Sequence, residues 1–318
     1  MTQETIPVNP NWERDTINRL AFAAIDEQRR SRRWSIFFKS LLFIYLFTLL
    51  GIYLWMDNVS FHFNDGKYTA LVEINGIISD GADANADDIT AGLRAAFEDD
   101  NAAGVIIRIN SPGGSPVQAG YINDEIWRLR KKYPRTLVYA VVSDICASGG
   151  YYIAVATQKI YADKASIIGS IGVRMDSFGF VEALRKLGIE RRLLTAGEHK
   201  GFLDPFLPER PDEVSHLKDV LSEIHGQFIT MVKQGRGDRI KDDPNLFSGL
   251  VWTGEQAKSL GLVDELGSAG FVAREVFKTN TIEDYTRRSN FLDHVLERLG
   301  TAVARILPQT VNDFMQIR

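Results

Sequence analysis

From Ser40 to Met56 the chain carries no charged residue. A run of that kind has few places to go, because it is too apolar for a solvated surface helix. With Lys39 able to snorkel to the interface, residues 34–56 are long enough to cross a bilayer core of ~30 Å. Trp34 and Trp55 sit at the two ends, where interfacial aromatics belong. Arg29, Arg30, Arg32 and Arg33 precede the run and Asp57 follows it. The positive-inside rule then puts the N-terminus in the cytoplasm and everything after Asp57 across the membrane. A cleavable signal peptide fits poorly, since the polar leader is long and no small-x-small site follows. The expectation is a single-pass signal anchor in the cytoplasmic membrane, with a periplasmic remainder if the cell has two membranes.

This anchor divides the chain. Residues 1–33 form a polar cytoplasmic segment, in which Ile17, Leu20, Ala21, Ala24 and Ile25 have the spacing of a short amphipathic helix over 12–28. Residues 57–67 are a linker, 68–280 a folded domain, and 281–318 an amphipathic tail. In the folded domain, apolar runs of strand length alternate with helical periodicity. Strands are expected at 69–75, 104–109, 137–142, 159–162 and 191–195, with a glycine-punctuated β-rich stretch at 166–173. Helices are expected at 86–99, 116–132, 151–156, 178–187, 212–234, 253–260 and 269–277. Such alternation predicts an α/β fold, a parallel sheet flanked by helices.

Charge and composition exclude several functions. A net charge of -4 without a basic stripe gives no nucleic-acid footprint. One cysteine, Cys146, rules out an intrachain disulfide framework. It has no thiolate-stabilising cation beside it in sequence and reads as core packing. The five histidines have no metal-ligand spacing, so no metal is expected.

The residues that carry chemistry lie at strand ends. Asp144-Ile-Cys-Ala-Ser-Gly-Gly-Tyr-Tyr-Ile-Ala154 reads as a strand end, a small-residue elbow bearing Ser148, and a helix start with free N–H groups. A nucleophilic serine needs a base and an oxyanion hole. The turn Asn110-Ser-Pro-Gly-Gly114 follows a strand, and its glycines let backbone N–H groups point outward. Gly114 and Gly149 are the candidate donors. For the base, His199 and Lys200 are adjacent in a glycine-rich loop. In an extended segment neighbouring side chains face opposite ways, so only one of them would meet Ser148. A Ser/His and a Ser/Lys pair both remain open on this spacing.

Four motifs in order carry a resemblance: Asn110-Ser-Pro-Gly-Gly114, Ala147-Ser-Gly-Gly-Tyr-Tyr-Ile-Ala154, Ile168-Gly-Ser-Ile-Gly-Val173 and Gly197-Glu-His-Lys200. Over roughly residues 67–278 the chain resembles the SppA-type signal peptide peptidases, Ser/Lys proteases with a ClpP/crotonase-like fold of repeated β-β-α units. The resemblance implies Ser148 as nucleophile, Lys200 as general base, Ser170 as the residue holding that lysine, and Gly114 in the oxyanion hole. It demotes His199. One such module is similar to the short members of the family, which implies a ring of identical subunits with Ser148 of one facing Lys200 of the next. It also implies remnant signal peptides and other short apolar membrane peptides as substrates, and no cofactor. Two rivals share the scaffold. A crotonase-like acyl-CoA hydratase or isomerase would want a pair of catalytic carboxylates, and a membrane scaffold would have lost the chemistry.

Overall fold

A computed structural model describes residues 12–58 and 66–287, which fall in two compact units divided at Asp65 and Gly66. The first holds one helix, α1 (Trp12–Asn58). The helix expected at 12–28 and the apolar run at 34–56 are thus parts of one uninterrupted element. Within it Glu27–Ile52 contains an 18-residue window with a mean hydropathy of 2.0, none of which is buried within the protein. Phe43 stacks on Phe47 one turn on. By length and composition this helix can cross a membrane.

The second unit is an eight-stranded sheet with helices on its faces. In chain order its elements begin with β1 (Tyr68–Asn75), α2 (Ala86–Glu98), β2 (Ala102–Ser111), α3 (Pro116–Lys132), β3 (Val138–Ala147) and α4 (Gly149–Ala154). Then come β4 (Lys159–Ala162), β5 (Ile167–Gly169), α5 (Val181–Lys186) and α6 (Pro211–Arg236). The remainder is β6 (Val251–Thr253), α7 (Gly254–Ser259), β7 (Glu265–Leu266), α8 (Ala269–Phe271) and β8 (Ile282–Asp284). The order across the sheet is β6-β5-β3-β2-β1-β8, with β4 and β7 branching from β3. All pairings are parallel except β5 with β6.

The strands are apolar on both faces because both faces are covered. Val72, Ile74, Ile107, Ile109, Ala140 and Val142 belong to the larger cluster, with Leu93 of α2, Ile122 and Ile126 of α3 and Ile153 of α4. Leu71, Ile106, Tyr139 and Val141 alternate with them into a smaller cluster, closed by Tyr161, Val272 and Phe277. Local signals set the helix starts. Asn85 caps α2 by accepting the Asp88 N–H, and Ser115 caps α3 with Pro116 in its first turn. Two locks fasten the later elements. Arg236, at the end of α6 and 1% exposed, pairs with Asp264 at 2.7 Å. Burial alone would raise the Asp264 carboxyl, but the Arg236 hydrogen bond and charge hold it below its ordinary value. Beyond β8, Tyr285 shares the Asp99 carboxylate with Tyr68 at 2.6 and 2.5 Å.

One expected strand is absent. Residues 191–195 form no strand, and most of their side chains are exposed. A strand exists only when its backbone finds a ladder partner, and among the described residues none lies beside that stretch. The helix expected at 178–187 is confined to α5, and the β-rich stretch at 166–173 contributes only β5. Residues 174–210 as a whole form an arm inserted between β5 and α6, built of turns and one short helix. The amphipathic tail expected at 281–318 lies outside the described residues from 288 onward, apart from β8 and what immediately follows it.

Candidate active site

The carboxyl edge of a parallel sheet is where loops converge, and four of the predicted site residues, Ser148, Ser170, Gly114 and Gly149, collect there. Ala147, the last residue of β3, is in register with Gly169, the last residue of β5. Ser148 and Ser170 therefore leave adjacent strands side by side. Both take the same unusual backbone, with φ +50°. For a non-glycine residue that region is costly, and it persists only where neighbours enforce it. Here the Ser148 N–H donates to the Gly169 carbonyl at 2.9 Å, and the Ser170 N–H donates to the Leu250 carbonyl at 2.7 Å. Ser148 stands directly before α4, so its hydroxyl emerges at a helix N-terminus.

The turn after β2 closes on this elbow. Any Cβ on Gly113 would lie 2.7 Å from both the Gly149 nitrogen and the Ser148 Cβ, and one on Gly114 would lie 2.0 Å from the Ile78 carbonyl oxygen. Both positions also have positive φ, so only glycine fits. Ser111, missed as a contributor by sequence reasoning, holds the turn from below. It is fully buried, donates its hydroxyl to the Gly76 carbonyl at 2.6 Å, and accepts the Gly113 N–H at 3.1 Å. Asn110 adds a second brace, accepting the Ile145 N–H at 3.3 Å and donating to Asp144 at 3.1 Å. The signal in the sequence was the polar pair before Pro-Gly-Gly, since serine and asparagine side chains lock tight turns. Among the described residues the Gly114 and Gly149 N–H groups have no hydrogen-bond acceptor.

Ser148, Ser170, Gly114 and Gly149 all line one groove of about 860 Å³. Its walls are largely apolar, with Ile77, Ile145, Val173, Ile224 and Phe228 among them. Arg174 is the one charged residue among the described lining, and no carboxylate is present. The carboxylate pair that a crotonase-like hydratase wants is therefore missing from this groove. Cys146, two residues before Ser148, is fully buried, and burial pushes its thiol far up, so it is an unreactive packing residue.

Lys200 is not in the groove. It is exposed on the arm, in a turn where its N–H donates to the Gly197 carbonyl at 3.1 Å. His199 is not in the groove either. It lines a separate depression with Phe202, Asp212, Glu213 and His216, and its Nδ1 lies 3.5 Å from Glu213. Within one chain the structure brings together both serines and both glycines and leaves both candidate bases elsewhere. The arm that carries those bases exposes large apolar side chains: Leu194 is 96% exposed, Phe178 77% and Leu187 72%.

Comparison with known proteins fits this geometry. The model of Peptidase family S49 matches residues 130–282, which include Ser148, Ser170 and Lys200. A Synechocystis sp. protein provisionally named a protease is 32% identical over 64% of this chain and 70% of its own length. An Enterococcus faecium protein provisionally named signal peptide peptidase SppA is 27% identical over 69% of this chain and 66% of its own. A Brucella abortus protein named Na(+)/H(+) antiporter NhaA is 50% identical over 59% of this chain, but the match covers only 26% of that protein. The chain thus spans about a quarter of the Brucella relative and some two thirds of the other two. The chain belongs to peptidase family S49, the family of the SppA-type serine proteases.

Proposed function

We propose that this chain is a membrane-anchored serine endopeptidase that works by a Ser/Lys dyad on short apolar peptides. The observation that supports this most is the Ser148 elbow, where a strained serine at a helix start faces an apolar groove beside two acceptor-free amides. In the proposed reaction Ser148 Oγ attacks the peptide carbonyl while the neutral amine of Lys200 takes the hydroxyl proton. The Gly114 and Gly149 N–H groups hold the oxyanion. The C–N bond then breaks, Lys200 passes its proton to the leaving amine, and an ester to Ser148 remains. A water, deprotonated by the same lysine, hydrolyses that ester. Ser170, one strand over, holds the amine.

Lys200 is exposed in the single chain, and a lysine base needs a surface that shields its ammonium form. A second copy of the chain supplies that surface, docked on the apolar arm so that its Ser148 meets this Lys200. A head-to-tail contact of this kind closes into a ring. The substrate class follows from the groove's apolar walls and from the signal peptide peptidase name of the Enterococcus relative. The α1 helix is the anchor, with the arginines at 29–33 on the cytoplasmic side and the groove across the membrane.

Two measurements test this. Hydrolysis of a quenched apolar peptide rises toward alkaline pH, because only the neutral amine is a base. Full activity well below neutral pH contradicts it. Ser148→Ala and Lys200→Ala are each inactive, yet a random 1:1 co-assembly regains roughly a quarter of the activity, because one junction in four pairs an intact serine with an intact lysine. No recovery from demonstrably mixed assemblies overturns the two-copy dyad.

A further inference from the structure

The loop that carries Lys200 is gripped on both sides by one buried carboxylate. Glu213, in the first turn of α6, has a side chain only 6% exposed. Its Oε2 accepts the Leu203 N–H at 3.2 Å. Its Oε1 lies 3.5 Å from His199 Nδ1 and 3.5 Å from Arg210 Nη1. Arg210 in turn reaches the Glu198 carbonyl at 3.5 Å and pairs with Asp212 at 2.8 Å. Glu198 and His199 precede Lys200, and Leu203 follows it.

A first-turn carboxylate has an easier occupation. It could stay in solvent and complement the helix dipole. Glu213 is instead buried against a loop, and burying a carboxylate is unfavourable unless its oxygens are matched. The loop bears a matching sign of constraint. Leu203 has φ +50°, a backbone that leucine adopts only when held, and the hydrogen bond from its N–H to Glu213 is what the structure provides to hold it. Turn bonds continue the frame, with Phe202 N–H on the His199 carbonyl at 3.0 Å and Asp204 N–H on the Gly201 carbonyl at 3.1 Å. The arm has no strand to stiffen this loop, so its shape depends on these ties.

We infer that Glu213 is a positioning residue for the general base: with Arg210 it fixes the backbone on both sides of Lys200, so that the amine meets the serine at a set place. This rests on the reading of Lys200 as the base. The carboxylate touches neither substrate nor serine and acts only through the loop.

The test uses the full-length chain in detergent micelles, with a quenched apolar peptide and a fluorophosphonate that labels the activated serine. Glu213→Ala removes both ties. Its kcat falls by about 10- to 100-fold, the range expected when a reacting group is misplaced by about an ångström. KM stays within about twofold, because the groove is untouched. The fluorophosphonate reaches the same end-point labelling as in the parent, but more slowly. Glu213→Gln keeps an acceptor for the Leu203 N–H and recovers most of the lost rate. Where Glu213→Ala fails to fold, Arg210→Gln, which removes the tie to the Glu198 carbonyl and leaves the Leu203–Glu213 bond, carries the same kcat-against-KM comparison. An unchanged kcat in Glu213→Ala overturns the inference. So does a lower labelling end-point with an unchanged rate per labelled serine, which is the mark of a fold defect. Lys200→Ala is run alongside. If it keeps full activity, the base assignment itself fails, whatever Glu213 does.

Discussion

The sheet and the arm are made of similar residues put to opposite use. In the sheet, Ile74, Ile107 and Ile109 are fully buried, and each strand has its neighbours. In the arm, Leu194, Phe178 and Leu187 face outward, and a stretch with strand composition forms no strand. Large apolar patches on a soluble surface are unfavourable and usually mark a contact. The sheet is a finished object that carries the serine. The arm carries the lysine and leaves its large apolar side chains in solvent in the single chain, which fits the proposed docking of a second copy. Self-sufficiency stops after β5 and resumes from α6 onward, where Arg236 locks onto Asp264 and the last strands rejoin the sheet.

Three substitutions sharpen or break that contrast. Ser148→Ala has the largest effect on rate, about 10⁴-fold or more in kcat on a fluorogenic apolar peptide, with an unchanged melting temperature. A variant that retains activity removes the elbow from the mechanism. Ile107→Ala, in the middle of β2, deletes a fully buried side chain and costs about 2–5 kcal/mol in chemical denaturation. Leu194→Ser acts on a side chain already in solvent. It changes the stability of the isolated chain by no more than about 0.5 kcal/mol, while assembly, followed by native mass, weakens. A large stability loss at Leu194, or none at Ile107, would show that the division between the two regions is drawn in the wrong place.

The same division decides what could be read without coordinates. The spans expected at 116–132 and 159–162 coincide with α3 and β4. Ser115 and Pro116 mark the start of α3 through local capping, which needs no tertiary partner. The elbow and the Pro-Gly-Gly turn were legible for the same reason, since glycine spacing records backbone shape locally. The stretch at 191–195 was misread because composition says only what could pair, and among the described residues it has no ladder partner. Ser111 and Glu213 were invisible as braces. Each looks ordinary in sequence, one a turn residue and the other a first-turn acid, and their work lies in contacts across 35 and 10 residues. The pairing of Ser148 with Ser170 was also beyond the sequence, because it follows from the register of β3 on β5.

The position of Lys200, out on the arm and away from its own groove, has a consequence for the life of the enzyme in a cell. On the two-copy reading a freshly made protomer is harmless. It holds a nucleophile without a base and a base without a nucleophile, and it can damage no passing chain while it is alone. Cutting begins only when protomers meet, and tethering by α1 would restrict that meeting to the plane of one membrane. Control of proteolysis then needs no propeptide and no inhibitor. It depends on how crowded the membrane is with copies of the same protein.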